Sequence, residues 1–408
     1  MAAFLVFGRD TTVMASIANT TSAATAAQVF DRETLLNAAR ERTGLSDFGD
    51  TWFFEPMDQY ITAANAEGKL TEAGFGGQTE SIVKGLASRL RMVDDIRRHP
   101  EILDEKVEVA AIILGLPRTG STIFHRLLAS APGMTAIRWY EAQNYAPLPG
   151  DEPGNPVARR AYAEAMIEGW LNLSPELASI HPLDPEAPDE EIIILGQLFI
   201  TTMVEAMTFI PSFARWLDDY DQSKGYEDLK TILKYLQWQD PTRRGKKWVL
   251  KSPQNLPYTD VIANAFPQAV LVMTHRDPLE VVPSYVSMEA ALYKLNSVHS
   301  DEAVGGFWFP RLAGWMKRFE EARARIGEDR FIDIDYREVA KEPLKQAQRV
   351  LAHIGVPLDG AIEAALTEFM AGNKREQRPM HDYSLERFGL NEADVREAFA
   401  SYRARYIR

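Results

Sequence analysis

The chain has 408 residues, 46% of them hydrophobic, and a formal net charge of −13. That length supports one enlarged α/β unit, or a core with helical additions, and not a string of small modules. The acidic balance excludes broad nucleic-acid binding and a stable basic membrane footprint, and the absence of cysteine excludes disulfides, thiolate metal sites and thiol catalysis.

At the start of the chain, Ala2 to Phe7 is too short for the apolar segment of a signal peptide, and Arg9 and Asp10 interrupt it. No run is long enough to span a bilayer, so a cytoplasmic protein without stable membrane insertion is expected. Residues up to about Ala27 are rich in Ala, Thr and Ser and read as a loosely held leader, with Met14 an alternative start. Asp31 to Leu45 and Thr79 to Arg98 read as amphipathic helices. The first carries Leu35, Leu36 and Ala39 on one side, the second Ile82, Leu86, Leu90 and Met92. Both are expected to form a cap or a dimer surface, a place where the chain could build a homo-oligomer.

Val107 to Leu114 is an apolar, β-branched run, the signature of a strand buried on both faces in a parallel sheet. Gly115 and Gly120 then bracket Leu116-Pro117-Arg118-Thr119, and Ser121 and Thr122 follow. The spacing is that of a Walker A loop, except that Ser121 stands where that motif has lysine. Glycines let successive backbone N–H groups curl around an anion, and the positive end of the following helix, Ser121 to Ser130, adds to the field. Arg118 places a cation inside the loop instead of after it. An ordinary strand-turn-helix with an exposed arginine has the same local pattern.

Beyond Pro132-Gly133, the stretch Arg138 to Asn144 mixes aromatic and polar residues and reads as an active-site wall. Pro156 to Gln239 is mostly helical, interrupted by His181 to Pro188 and by Pro211, and reads as an inserted layer carrying substrate contacts. Asp189, Glu190 and Glu191 sit where a helix would begin, and favourable interaction with its dipole accounts for them. Strands follow at Trp248 to Leu250, ending in Lys251, and at Ala269 to Thr274, ending in His275-Arg276. A last strand, Phe331 to Asp335, leads into a helix over Tyr336 to Ile354. Alternating strands and helices predict a P-loop-type parallel α/β sheet flanked by helices, with N-terminal and inserted helical layers. The expected division is a leader and helical extension (1–105), an α/β domain (106–390) with the insert at about 156–240, and a C-terminal helix (391–408), all in one integrated unit. Arg118, Lys251 and Arg276 would then be three cations at the carboxyl ends of three strands, the edge where such sheets bind ligands.

The segments GLPRTGST and HRDPLEVVPSYVSM, with WVLKSPQNL and FPQAVLVMTHRDP, resemble the sulfotransferases that use 3′-phosphoadenosine 5′-phosphosulfate, most of all the bacterial branch related to tyrosylprotein and cytosolic enzymes. The resemblance runs from about Val107 to Leu390. It implies that Arg118 and the N–H groups of Thr119, Gly120, Ser121 and Thr122 hold the 5′-phosphosulfate. Arg276 and Ser284 would clasp the 3′-phosphate, and Pro283 is expected to kink or restart the helix before Ser284. Lys251 and Arg118 would relieve charge on the leaving phosphate, without a metal, releasing 3′-phosphoadenosine 5′-phosphate. Where cytosolic members have a histidine base, this chain has Pro253 and Asn255. Glu141, beside Trp139 and Tyr140, takes that role by likeness to the tyrosylprotein enzymes, with His181 as the alternative base. Ile123 replaces an adenine-stacking tryptophan, leaving Phe124 or the insert as the adenine wall. Lys374, Arg375 and Arg378 resemble the late segment that closes over the 3′-phosphate. The implied reaction is sulfuryl transfer to a hydroxyl of a small or lipid-like acceptor, with the aromatic residues Trp139, Tyr140, Tyr145 and Phe307 to Phe309 suggesting apolar surface. Two alternatives stand beside it: a P-loop phosphotransferase, which would call for a loop lysine and a Mg²⁺-holding carboxylate, and a non-catalytic nucleotide-binding protein of the same fold.

Overall fold

The computed structural model describes residues 28–173, 183–373 and 384–407. His181, Lys374, Arg375 and Arg378 lie outside the described residues. Strands β1 (Glu108–Gly115), β2 (Met134–Thr135), β3 (Lys247–Lys251), β4 (Val270–His275) and β5 (Phe331–Asp335) form one parallel sheet in the order β2-β3-β1-β4-β5. This is the expected α/β architecture, and each longer strand falls within a residue or two of its sequence pattern. β2 has only two residues, too few to leave a periodicity.

β1 lies at the centre and is buried everywhere but at Glu108. Its side chains alternate between two cores: Ile112 and Leu114 face one, Ala111 and Ile113 the other. The chain leaves β1 for β2 and β3 on one side and returns as β4 on the other. That reversal puts a crevice at the carboxyl end of β1, where doubly wound sheets bind ligands.

Three helices precede the sheet: α1 (Arg32–Thr43), α2 (Phe54–Glu67) and α3 (Glu72–Arg98). α3 starts earlier than the apolar pattern indicates because Thr71 caps it, its hydroxyl accepting from the Gly74 N–H at 3.0 Å. α4 (Ser121–Ala129) follows β1, and α5 (Trp139–Gln143) follows β2. The insert contributes α6 (Val157–Leu173), α7 (Ile192–Gly196), α8 (Thr202–Met207), α9 (Pro211–Asp219) and α10 (Ser223–Gln239). Pro211 starts α9 instead of merely interrupting a helix, its missing N–H being harmless in a first turn.

After β3 comes α11 (Thr259–Ala265), and after β4 come α12 (Pro278–Asn296) and α13 (Asp301–Ile326). α12 runs through Pro283 without restarting. The single helix read over Tyr336 to Ile354 is in fact two, α14 (Tyr336–Lys341) and α15 (Pro343–His353), because Pro343 disfavours helical backbone at Glu342 and opens the second helix. α16 (Gly360–Gly372), α17 (Glu392–Ala398) and α18 (Ala400–Tyr406) complete the described chain. The larger core joins the N-terminal and inserted helices, α12, α13 and α18 to one face of the sheet. α4, α15 and α16 cover the other.

Candidate active site

The turn after β1 is shaped by contacts beneath it. A Cβ on Gly115 would lie 2.4 Å from the Thr274 hydroxyl oxygen, and one on Gly120 would lie 2.9 Å from the Tyr336 ring. Gly120 has φ +78°, a left-handed conformation open to glycine at no steric penalty. Arg118 adopts φ +66° without that freedom. Two contacts help hold this uncommon backbone: Arg276 Nη1 donates to the Arg118 carbonyl at 2.8 Å, and Arg118 Nε donates to Ser284 Oγ at 3.2 Å. Thr119 is buried, its hydroxyl donating to the Leu116 carbonyl and sharing a hydrogen bond with Thr274. Gly120 brings no capping side chain to α4, so the first N–H groups of that helix suit an anion.

Arg276 lies just past β4. Its guanidinium sits 4.4 Å from the centroid of the Tyr336 ring and pairs with Glu280, Nε to Oε2 at 2.9 Å. Ser284 is buried one turn further along α12. Arg118 thus touches both Arg276 and Ser284, although the three come from two strand ends and a helix.

The third cation closes the other side of the loop. Lys251, at the end of β3, is 1% exposed, and its ammonium lies 3.1 Å from the Thr122 hydroxyl. It also forms an ion pair with Glu190, whose side chain is 15% exposed. The acidic run does precede a helix, α7 beginning at Ile192 with Glu191 as its N-cap residue, but its carboxylates also reach side chains and backbone elsewhere. Asp189 faces Arg126, Glu190 takes the Lys251 ammonium, and Glu191 accepts from the Lys251 N–H at 2.9 Å and the Asn255 amide at 2.6 Å. Burial pushes the Glu191 carboxyl up, against those hydrogen bonds. Asn255, in place of a histidine, bridges Glu191 and the Tyr226 hydroxyl inside the protein.

Glu141 is 3% exposed and fully engaged. One oxygen accepts from Arg243 Nη2 at 2.7 Å and from the Tyr140 hydroxyl at 3.2 Å, the other from the Arg138 N–H at 2.8 Å. Together with Arg138 it forms the cap of α5. Trp139 and Tyr140 are buried beside it. Phe124 is enclosed in the core beneath the sheet and offers no wall to a nucleotide. His125 is equally enclosed, and burial, followed by the Lys251 charge, pushes its imidazole down to about 3, so it stays neutral. Among the described residues, no group of three or more acidic or histidine side chains could hold a metal ion, and no helix is long and apolar enough to cross a membrane.

From the sequence, Glu190 is attributed to a helix dipole and Tyr336 serves only as the start of a helix. The available signal for Glu190 was three consecutive carboxylates in a chain with three strand-end cations to match. For Tyr336 it was an aromatic residue directly after a strand, on the ligand-binding edge.

Arranged in this way, the loop and its cations can hold two separate anionic groups, one near Lys251 and Thr122 and one near Arg276 and Ser284. A model described as the sulfotransferase family matches residues 111–360. Among curated proteins, the chain is 26% identical over 134 residues to the omega-hydroxy-beta-dihydromenaquinone-9 sulfotransferase Stf3 of Mycobacterium bovis and to that of Mycobacterium tuberculosis. Each match covers 31% of this chain and 33% of the relative, so the matched stretch spans about a third of these proteins. Among solved structures, it is similar to sulfotransferase STF1 of Mycobacterium tuberculosis, with a TM-score of 0.79 and 25% identity over 91% of this chain and 99% of that one. Sulfotransferase STF9 of Mycobacterium avium gives a TM-score of 0.83 and 25% identity over 94% and 98%.

Proposed function

The chain belongs to the sulfotransferase family, and from that membership we propose that it transfers a sulfuryl group from 3′-phosphoadenosine 5′-phosphosulfate to a hydroxyl of a lipid-like acceptor. The observation that carries this reading is the convergence of Arg118, Lys251 and Arg276, from three adjacent parallel strands, on one short loop.

The donor supplies the sulfuryl group and, in 3′-phosphoadenosine 5′-phosphate, the leaving group. Arg118 and the N–H groups of Thr119 to Thr122 suit the 5′-phosphosulfate, and Arg276 with Ser284 suits the 3′-phosphate, because a guanidinium fork donates paired hydrogen bonds to phosphate oxygens. Lys251 sits where charge would grow on the leaving phosphate as the sulfur–oxygen bond breaks, and a fixed ammonium in an enclosed site stabilises such charge. Glu190 is our assignment for the base that takes the acceptor proton as the new oxygen–sulfur bond forms. Its side chain is partly exposed and adjoins Lys251, whereas both oxygens of Glu141 accept hydrogen bonds within the protein.

An acceptor with an apolar body is supported by two observations. One relative is named for a hydroxylated menaquinone. In addition, partly buried Met166, Ile167, Trp170, Leu183 and Ile193 gather around Trp139, and Ile193 follows closely on Glu190.

Calorimetry with 3′-phosphoadenosine 5′-phosphate and with ATP tests the donor assignment. Tight binding of the first and weak binding of the second is expected, and preference for ATP would overturn it. Mass spectrometry of a lipid extract incubated with enzyme and sulfate donor should then reveal a species carrying added sulfate.

A further inference from the structure

Arg276 occupies a short irregular link between β4 and α12, and the residues on both sides of it are held by one distant helix, α18. On the strand side, the His275 ring stacks on Tyr406, with centroids 4.4 Å apart and planes 12° from parallel. Its Nδ1 lies 3.1 Å from the Tyr402 hydroxyl, and its Nε2 lies 2.8 Å from Asp333 Oδ1. Asp333 is gripped in turn by Arg323, Nη1 to Oδ1 at 2.6 Å and Nη2 to Oδ2 at 2.8 Å. On the helix side, Asp277 caps α12 and accepts both arms of the Arg403 guanidinium, each at 3.0 Å. The Arg403 and Asp277 side chains are only 24% and 21% exposed, and the geometry is a two-bond fork, so this pair fixes orientation better than an ordinary surface pair.

We propose that Tyr402, Arg403 and Tyr406 are positioning residues for Arg276, fixing the backbone on either side so that its guanidinium meets the 3′-phosphate of the donor. The proposal rests on the reading of Arg276 as the 3′-phosphate ligand. The strand ladder holds His275 and the first turn of α12 holds the Asp277 carbonyl, and the α18 contacts add a third restraint on the link between them. The Arg276 side chain has anchors of its own in Glu280, the Arg118 carbonyl and Tyr336, but all three act beyond Cβ. α18 also reaches Arg276 directly, the Tyr402 hydroxyl accepting from its backbone N–H.

The test compares binding of 3′-phosphoadenosine 5′-phosphate with that of 5′-AMP, which lacks the 3′-phosphate. Arg403→Gln should weaken the first by about 2- to 30-fold, the range over which side chains one contact removed from a ligand act. Binding of 5′-AMP should stay unchanged, and Arg403→Lys should recover part of the loss. Tyr402→Phe, which removes only a hydroxyl, serves as the second variant should Arg403→Gln fail to fold, and the same selective loss is expected. Equal loss for both nucleotides, or no loss, would overturn the proposal, since a purely structural helix has no reason to distinguish them. Arg276→Ala separates the two levels. If it leaves binding of 3′-phosphoadenosine 5′-phosphate intact, the underlying site assignment falls; if it weakens binding while the α18 variants do not, the positioning role alone falls.

Discussion

Lys251 and Glu190 form an ion pair across the mouth of the candidate site, with the lysine enclosed, the carboxylate partly open and the Thr122 hydroxyl 3.1 Å from the same ammonium. On the proposed reading, the pair would set one charge toward the leaving phosphate and the opposite charge toward the acceptor proton. An enclosed lysine also needs a counter-charge while no anion is bound, and Glu190 provides it.

Glu190→Gln is accordingly expected to lower kcat by about 10²- to 10⁴-fold, the usual contribution of a positioned base. Affinity for 3′-phosphoadenosine 5′-phosphate should be unchanged or higher, because a negative charge beside an anion site has been removed. Single-turnover rates with saturating donor, alongside calorimetry, check both parts. Unchanged turnover would move the base elsewhere.

For Glu141 the expectation is the reverse. Arg243 is almost fully buried and holds Glu141 at 2.7 Å, with Asp240 as a second partner at 3.3 Å. Removing one partner of a buried pair costs about 3–5 kcal/mol, and Asp240 should keep Glu141→Ala near the lower end. Denaturant unfolding would read that loss. Turnover per folded molecule should stay within a few-fold of wild type, and a loss as deep as that of Glu190→Gln would return Glu141 to the chemistry.

These two residues show what a sequence pattern carries and what it omits. The loop was legible because glycine spacing, an apolar strand and a following helix are local features, and β1, β3 and β4 emerged from runs of apolar residues. The strand-end cations followed from those strands. The roles of the carboxylates were not legible, because a carboxylate takes its role from its partner. Glu190 meets Lys251 across 61 positions and Glu141 meets Arg243 across 102, and no local periodicity records either contact. Three acidic residues in a row resemble a helix start, and only the folded chain sends Asp189 to Arg126, Glu190 to the Lys251 ammonium and Glu191 to the Lys251 N–H and Asn255. Tyr336 was hidden for a similar reason: it lies directly after β5, yet it packs against Gly120 and Arg276.

The Arg276–Glu280 pair leads to a third expectation. Glu280 holds the same guanidinium that would meet the 3′-phosphate, and its side chain is 59% exposed. An exposed ion pair of this kind is worth about 0–1 kcal/mol. Glu280→Gln should therefore tighten binding of 3′-phosphoadenosine 5′-phosphate by up to about 5-fold. The gain should shrink as salt is raised, because the competing charge is exposed to solvent. Weaker binding in the variant would mean that Glu280 orients Arg276 more than it competes for it.

The last expectation concerns stability away from the site. Glu289, on α12, is 1% exposed, and burial pushes its carboxyl up to about 8 despite a hydrogen bond from Tyr285. The negative charge of Glu205 pushes in the same direction as burial, and Tyr293 packs into the same interior. Arg311, the nearby cation, is committed to Glu205 and Asp218, at 2.9 Å from each. With a folded value above the unfolded one of about 4.5, the native state holds a proton that the unfolded chain has released. The stability from this group is therefore fully present below about pH 4.5 and is lost as pH rises toward about 8. Glu289→Gln mimics the protonated acid and has no proton to lose. Measured from about pH 5 to about pH 8, the difference in Tm between variant and wild type should move steadily in favour of glutamine, because only the wild type must bury a charge or keep a proton that the solvent no longer supplies. A difference that stays constant over that interval would show that the carboxyl is already ionised in the folded protein.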